Sequence, residues 1–154
     1  MNLAKLFEEK VDAQGGTYLG IGTYVAQVDR IDLGESPKSG DPRCAITFKV
    51  LSSEGTDRFK AGTSGSVVIS LRAGKDNKMN RDRYKRFIAA ASGVDPRDTD
   101  AVNALLGKIK DPEKYVDTLI GKKVAIEIKQ AFGKGGPIFT KNGSPFTNAD
   151  FFAV

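Results

Sequence analysis

An antiparallel β-barrel of five strands, with helices between the third and fourth, is the fold this sequence predicts. Three observations carry the expectation. Short runs of alternating apolar residues fill the chain up to residue 72 and return after residue 122. The stretch between them, about 79–120, has helical spacing instead. No regular strand–helix–strand alternation links the runs, which argues against a doubly wound parallel sheet.

Taken in order, Leu3, Leu6, Phe7 and Val11 fall at helical spacing and Gln14-Gly15-Gly16 ends them. This segment, 1–19, reads as a short capping or fraying helix, and an arm that docks on a neighbouring subunit is the alternative. The remaining chain, 20–154, reads as one domain. Gly22–Ile31 is rich in β-branched residues and predicts the first strand. The turn formers of LGESPKSGDP follow. Arg43–Leu51 is the second strand, with Cys44, Ile46, Phe48 and Val50 on one face and Ala45, Thr47 and Lys49 on the other. Gly65–Arg72 is the third, with Val67, Ile69 and Leu71 inward.

Met79, Tyr84, Phe87, Ile88 and Ala91 predict an amphipathic helix that closes at Gly93, with Asn80 as its N-cap and Arg83 and Arg86 on the wet side. Asp98 or Thr99 starts a second helix through Leu106. Asp111-Pro112 opens a third, and Gly121 stops it. Val124, Ile126 and Ile128 face inward from a fourth strand, Lys122–Lys129. Phe132–Pro137 reads as a flexible loop, and Ile138–Thr140 and Phe146–Val154 as strand pieces around an Asn142-Gly143 turn. Five strands with a helix after the third follow the order of an OB barrel, which offers strands two and three and two flanking loops to oligonucleotides.

Composition narrows the chemistry. The chain has 154 residues, a net charge of +5, one cysteine and no histidine. Without histidine the commonest general base and metal ligand are missing. One cysteine cannot form an internal disulfide or fill a tetrahedral Cys/His metal shell. Cys44, in an apolar strand, reads as core. No apolar run approaches the ~20 residues of a membrane helix, and the N-terminus lacks the apolar core of a signal peptide. The expectation is a soluble cytoplasmic protein (host-cell cytoplasm if viral) with no membrane partner.

Two phosphate-type motifs fail on inspection. Gly74-Lys75-Asp76 has neither the upstream glycine nor the hydroxyl of a phosphate loop, and Gly133-Lys134-Gly135-Gly136 precedes no helix. Asp111 with Glu127-Ile128-Lys129 follows the Asp…Glu-x-Lys order of Mg²⁺-dependent nucleases, in which carboxylates hold the metal and lysine polarises the phosphate. Glu-x-Lys on a strand is more often a solvated face, and Asp111 has a competing role as a helix cap. No catalytic residue, metal or cofactor is expected.

The segment RAGKDNKMNRDRYKRFIAAA, from Arg72 to Ala91, is strongly basic. Clustered Lys and Arg release counterions from a phosphate backbone, so a polyanion partner is the first expectation. Binding an unpaired strand also needs rings on which bases stack. The candidate phosphate contacts are Lys49, Arg58, Lys60, Arg72, Lys75, Lys78, Lys134 and Lys141. Phe59, Phe132 and Phe139 are the candidate stacking rings, the first two because each neighbours glycine or charged residues. Phe48, Tyr84 and Phe87 read as core.

Five segments also carry a resemblance: GTYVAQVDRIDL, ITFKVLSSEG, RYKRFIAAASG, LIGKKVAIEIK, and the closing FTNADFF. Together, over about residues 20–154, they resemble the OB-fold single-stranded-DNA-binding proteins of tailed bacteriophages. The resemblance implies a DNA-binding accessory of phage DNA replication or recombination that coats single-stranded DNA. Replication or recombination proteins and further copies of itself would be its partners. It also selects DNA over RNA, which the residues alone do not. The chain departs from the bacterial type in ending FFAV, without an acidic tail. A Mg²⁺ nuclease and a virion or assembly protein remain the alternatives.

Overall fold

The computed structural model describes residues 18–56, 58–140 and 143–154. The segment expected to form an N-terminal helix or arm lies, through residue 17, outside the described residues. The described residues form seven strands: β1 Gly22–Glu35, β2 Pro42–Glu54, β3 Ser64–Ser70, β4 Lys123–Gln130, β5 Phe132–Gly133, β6 Gly136–Pro137 and β7 Thr147–Ala153. Three helices lie between β3 and β4: α1 Lys78–Ala91, α2 Thr99–Lys108 and α3 Pro112–Asp117. The protein is mainly β, and its main sheet is antiparallel with the order β3-β2-β1-β4-β7.

Alternation sets the inner face. Tyr24, Ala26 and Val28 of β1, Cys44, Ile46, Phe48 and Val50 of β2, and Val124, Ile126 and Ile128 of β4 are all buried. The helix α1 lays Phe87, Ile88, Ala90 and Ala91 onto this face. Phe87 meets Phe151 of β7 at 5.2 Å and Phe48 at 6.0 Å, edge to face in both pairs. Such ring pairs contribute beyond the area they bury.

The barrel expected from the sequence is not closed. β3 and β7 stay edges of an open sheet, and α1 packs against both of them. The helix thus occupies the gap that pairing of those edges would have closed. On the other side of β3 the Leu19 amide donates to Ser66 O at 2.9 Å. Leu19 itself fills the space beside Gly65, where an added Cβ would sit 2.5 Å from Leu19 Cδ2. Glycine is required there for close approach, not for backbone conformation.

Other expectations shift by a few residues, for local reasons. β1 runs to Glu35 and β2 to Glu54, because one bulge in each strand, at Asp29 of β1 and at Leu51 of β2, returns the long pair to register while it twists. Asn80 does not cap α1. Asn77 stands at that position, and its side chain instead donates to Ser70 O and Arg72 O at 3.2 and 2.9 Å, tying the helix start to the end of β3. Met79, expected inward, is exposed. Arg83, expected on the wet side, is largely covered and donates to Asn80 Oδ1. Gly93 (φ +80°) ends α1, with Val94 N–H bonded to Ala89 O, a left-handed C-terminal cap. Asp98 and Asp111 cap α2 and α3 as expected. The 132–137 stretch is not a loop but the β5–β6 hairpin.

Candidate nucleic-acid interface

The outer face of β1, β2 and β3 carries short, polar and basic side chains. Register places them in rows across the sheet. Lys49 stands between Gln27 and Ser64, and Lys123 of β4 lies beyond Gln27. Thr47 stands between Arg30 and Ser66, Ala45 between Asp32 and Val68, and Arg43 between Gly34 and Ser70. Arg30 is paired with Asp32 at 3.0 Å. Lys49, Arg43 and Lys123 have no ion pair among the described residues. The other half of the face differs in sign. Asp150, Glu127, Thr23 and Glu54 form one row across β7, β4, β1 and β2. Lys129 bonds Glu127 at 2.6 Å, and that carboxylate raises the lysine's pKa.

Beyond β4 the chain makes a small arm. Three backbone bonds close its base: Ala131 N–H to Phe146 O, Ile138 N–H to Ala131 O, and Phe146 N–H to Ile138 O. Phe132 is 72% exposed, Phe139 58% and Phe146 49%. Large rings so uncovered on an ordered hairpin are not core residues, and exposed apolar clusters mark contact surfaces. Lys134 lies in the β5–β6 turn between glycines. Because Gly22 of β1 faces Ile128 of β4 and Thr23 faces Glu54 of β2, the arm adjoins the end of the sheet where the β2–β3 loop begins.

The candidate residues therefore fall into two groups, at opposite ends of β3. Arg58 and Lys60 lie in the β2–β3 loop, at the same end as the arm with Phe132, Lys134 and Phe139. Arg72, Lys75 and Lys78 lie past the other end. Seven residues of strand separate the groups by about 20 Å, and the row of outer residues on β2, from Lys49 to Arg43, spans that interval.

Much of the basic segment already has an intramolecular role. Arg72 binds Asp76 at 2.6 Å, which raises the guanidinium's pKa and lowers that of the carboxyl. Lys78 binds Asp82 at 2.8 Å, and this bond holds the Asp82 carboxyl below its ordinary range. Arg81 donates to the carbonyls of Arg72 and Gly74. The first two pairs are exposed, so they are weak, screened and open to exchange with phosphate. Lys75 has no ion pair among the described residues.

Phe59 is a correction. It is 4% exposed and packs edge-on against Tyr24 at 6.3 Å, with Gly20 and Gly65 against its edges. Its ring belongs to the core and offers no face to a base. The guanidinium of Arg58 lies 5.5 Å from the ring centroid, a cation–π contact. Lys141 lies outside the described residues.

The nuclease set is not assembled. Asp111 accepts the Lys114 amide at the start of α3, and Glu127 is held by Lys129 on β4. Among the described residues no three or more His, Cys, Asp or Glu side chains are grouped to hold a metal. Burial pushes the Cys44 thiol up to about 12, with Asp32 adding to the effect, so it is no nucleophile near neutral pH. Among the described residues no helix is long and apolar enough to cross a membrane.

Sequence reasoning missed Arg43, Lys123 and Phe146. Arg43 and Lys123 were legible as outward positions of two alternating strands. Phe146 was legible as an aromatic directly after the turn formers Gly143-Ser144-Pro145. Compared with known proteins, the chain matches no family model and no curated protein.

Proposed function

We propose that the chain binds single-stranded DNA without sequence preference, without catalysis, as an accessory of phage DNA replication or recombination in the host cytoplasm. The observation that carries the reading is the arm. It holds three exposed phenylalanines and a glycine-flanked lysine beside a sheet face on which Lys49, Arg43 and Lys123 have no ion pair among the described residues. Rings that stack bases and cations that follow the phosphates are the two parts such binding needs. The main sheet has the strand order of an OB barrel opened between its third and fifth strands, with α1 in the opening. In that fold the outer face of strands two and three, here β2 and β3, is the binding face.

DNA rather than RNA, and a phage setting, rest on the sequence resemblance. Fluorescence anisotropy with labelled oligo-dT tests the reading. Phe132→Ala is expected to weaken binding by between about five- and a hundredfold, the ~1–3 kcal/mol of one stacked base. Unchanged affinity in Phe132→Ala, Phe139→Ala and Phe146→Ala alike would remove the arm from the site.

A further inference from the structure

A second surface lies on the helical insert. Between the end of α2 and the start of α3 runs an open groove of about 340 Å³. Leu105, Ile109 and the ring of Tyr115 form its floor, each half-buried and packed on the core. Lys108, Lys110 and Lys114 form its rim, all exposed. None of the three has an ion pair among the described residues. Asp111, the one acid in the groove's lining, accepts the Lys114 amide as the cap of α3, while Glu113 and Asp117 of α3 stand outside the lining. Tyr115 is fixed in place by a 2.6 Å bond between its hydroxyl and Ser92 Oγ. The floor is thus an apolar trough, and around it three lysines face one lining carboxylate, a net positive rim.

We propose that this groove docks a short acidic peptide segment of a partner protein, with one aliphatic or aromatic side chain seated on Leu105 and Ile109 and carboxylates facing the three lysines. Charge complementarity selects the acid, since three free ammonium groups around one engaged carboxylate attract anions and repel basic segments. The floor selects the anchor: it is mostly aliphatic and has room for one such side chain. A polynucleotide fits it less well, because bases seek flat, open ring faces such as those of the arm. The inference stands apart from the DNA reading, since it uses none of the residues assigned to that surface.

The test uses the whole chain and three labelled ten-residue probes. One carries six Asp/Glu and a central Leu-Phe pair. The second has the same acids with Ser-Ser in the centre. The third keeps Leu-Phe and replaces the acids by Ser. Saturable anisotropy binding of the first probe alone is expected, with at least tenfold loss in the K108Q/K110Q/K114Q variant and less than twofold change in that variant's oligo-dT affinity. Equal binding of the Ser-centred probe would overturn the proposal, because the trough would then play no part. So would no saturable binding of the first probe, or its undiminished binding to the variant. A large loss of oligo-dT affinity in the variant would assign the groove to the polynucleotide instead, which also overturns it.

Discussion

At the scale of single residues, similar phenylalanines have opposite roles, set by how their neighbours pack. Phe59 and Phe132 both sit near glycine and a basic residue in sequence, yet one is core and the other is open to solvent. Phe59→Ala is therefore expected to cost ~3–5 kcal/mol of stability in urea unfolding, while Phe132→Ala leaves the unfolding midpoint nearly unchanged. Gly65→Ala is expected to destabilise by ~1–3 kcal/mol, because the new methyl collides with Leu19. The burial of Phe59 was not legible because its partners Leu19 and Tyr24 are distant along the chain.

Cys44 adds a pH signature. Its thiol has an ordinary pKa of 9.0 and is raised to about 12 in the fold. Below pH 9 both folded and unfolded chains keep the proton, so the group has no effect on stability. Between pH 9 and 12 only the unfolded chain releases it, so stability falls as pH rises through that window. Denaturant midpoints measured from pH 7 to 11 should be flat at first and then decline, and more shallowly in Cys44→Ala. The same burial predicts that a thiol reagent labels Cys44 only when the chain unfolds.

At the scale of elements, the strands were legible and their ends were not. RCAITFKV alternates so regularly that its inward set, Cys44 to Val50, is the buried set, as is Val124-Ile126-Ile128. The bulges of β1 and β2, and the tethering of α1 through Asn77, depend on contacts between elements that no spacing records. Asn77→Leu removes the donors to Ser70 O and Arg72 O in a buried position and is expected to cost ~1–3 kcal/mol in thermal or urea unfolding. The arm behaves as a separable element. Ala131 and Phe146 already bond across its base, so an Asn-Gly turn in place of residues 132–145 can close the β4–β7 hairpin. That variant should keep its circular dichroism spectrum and lose most of its affinity for oligo-dT. Loss of the folded spectrum would mean that the arm supports the sheet instead.

At the scale of the whole molecule, the helical insert explains why the expected closed barrel is an open sheet: α1 takes the place between β3 and β7. Among the described residues no element packs over the outer face of β1–β3, which has the arm at one end and the Arg72–Lys78 segment at the other. The basic segment stood out in the sequence more than any other feature. In the fold Arg81 and Arg83 hold the start of α1, and Lys49 and Arg43 on the sheet have no ion pair among the described residues. The central claim is that this face and the arm form one track for an unpaired strand. Anisotropy titration of oligo-dT and of a matched duplex, over a series of salt concentrations, tests it most directly. The account predicts saturable binding of the single strand in preference to the duplex, with log affinity falling against log salt at a slope of about −3 to −4, as expected for four to six engaged cations, and a shallower slope in the Arg43→Ala/Lys49→Ala variant. Equal binding of duplex, or a slope that the variant leaves unchanged, would contradict it.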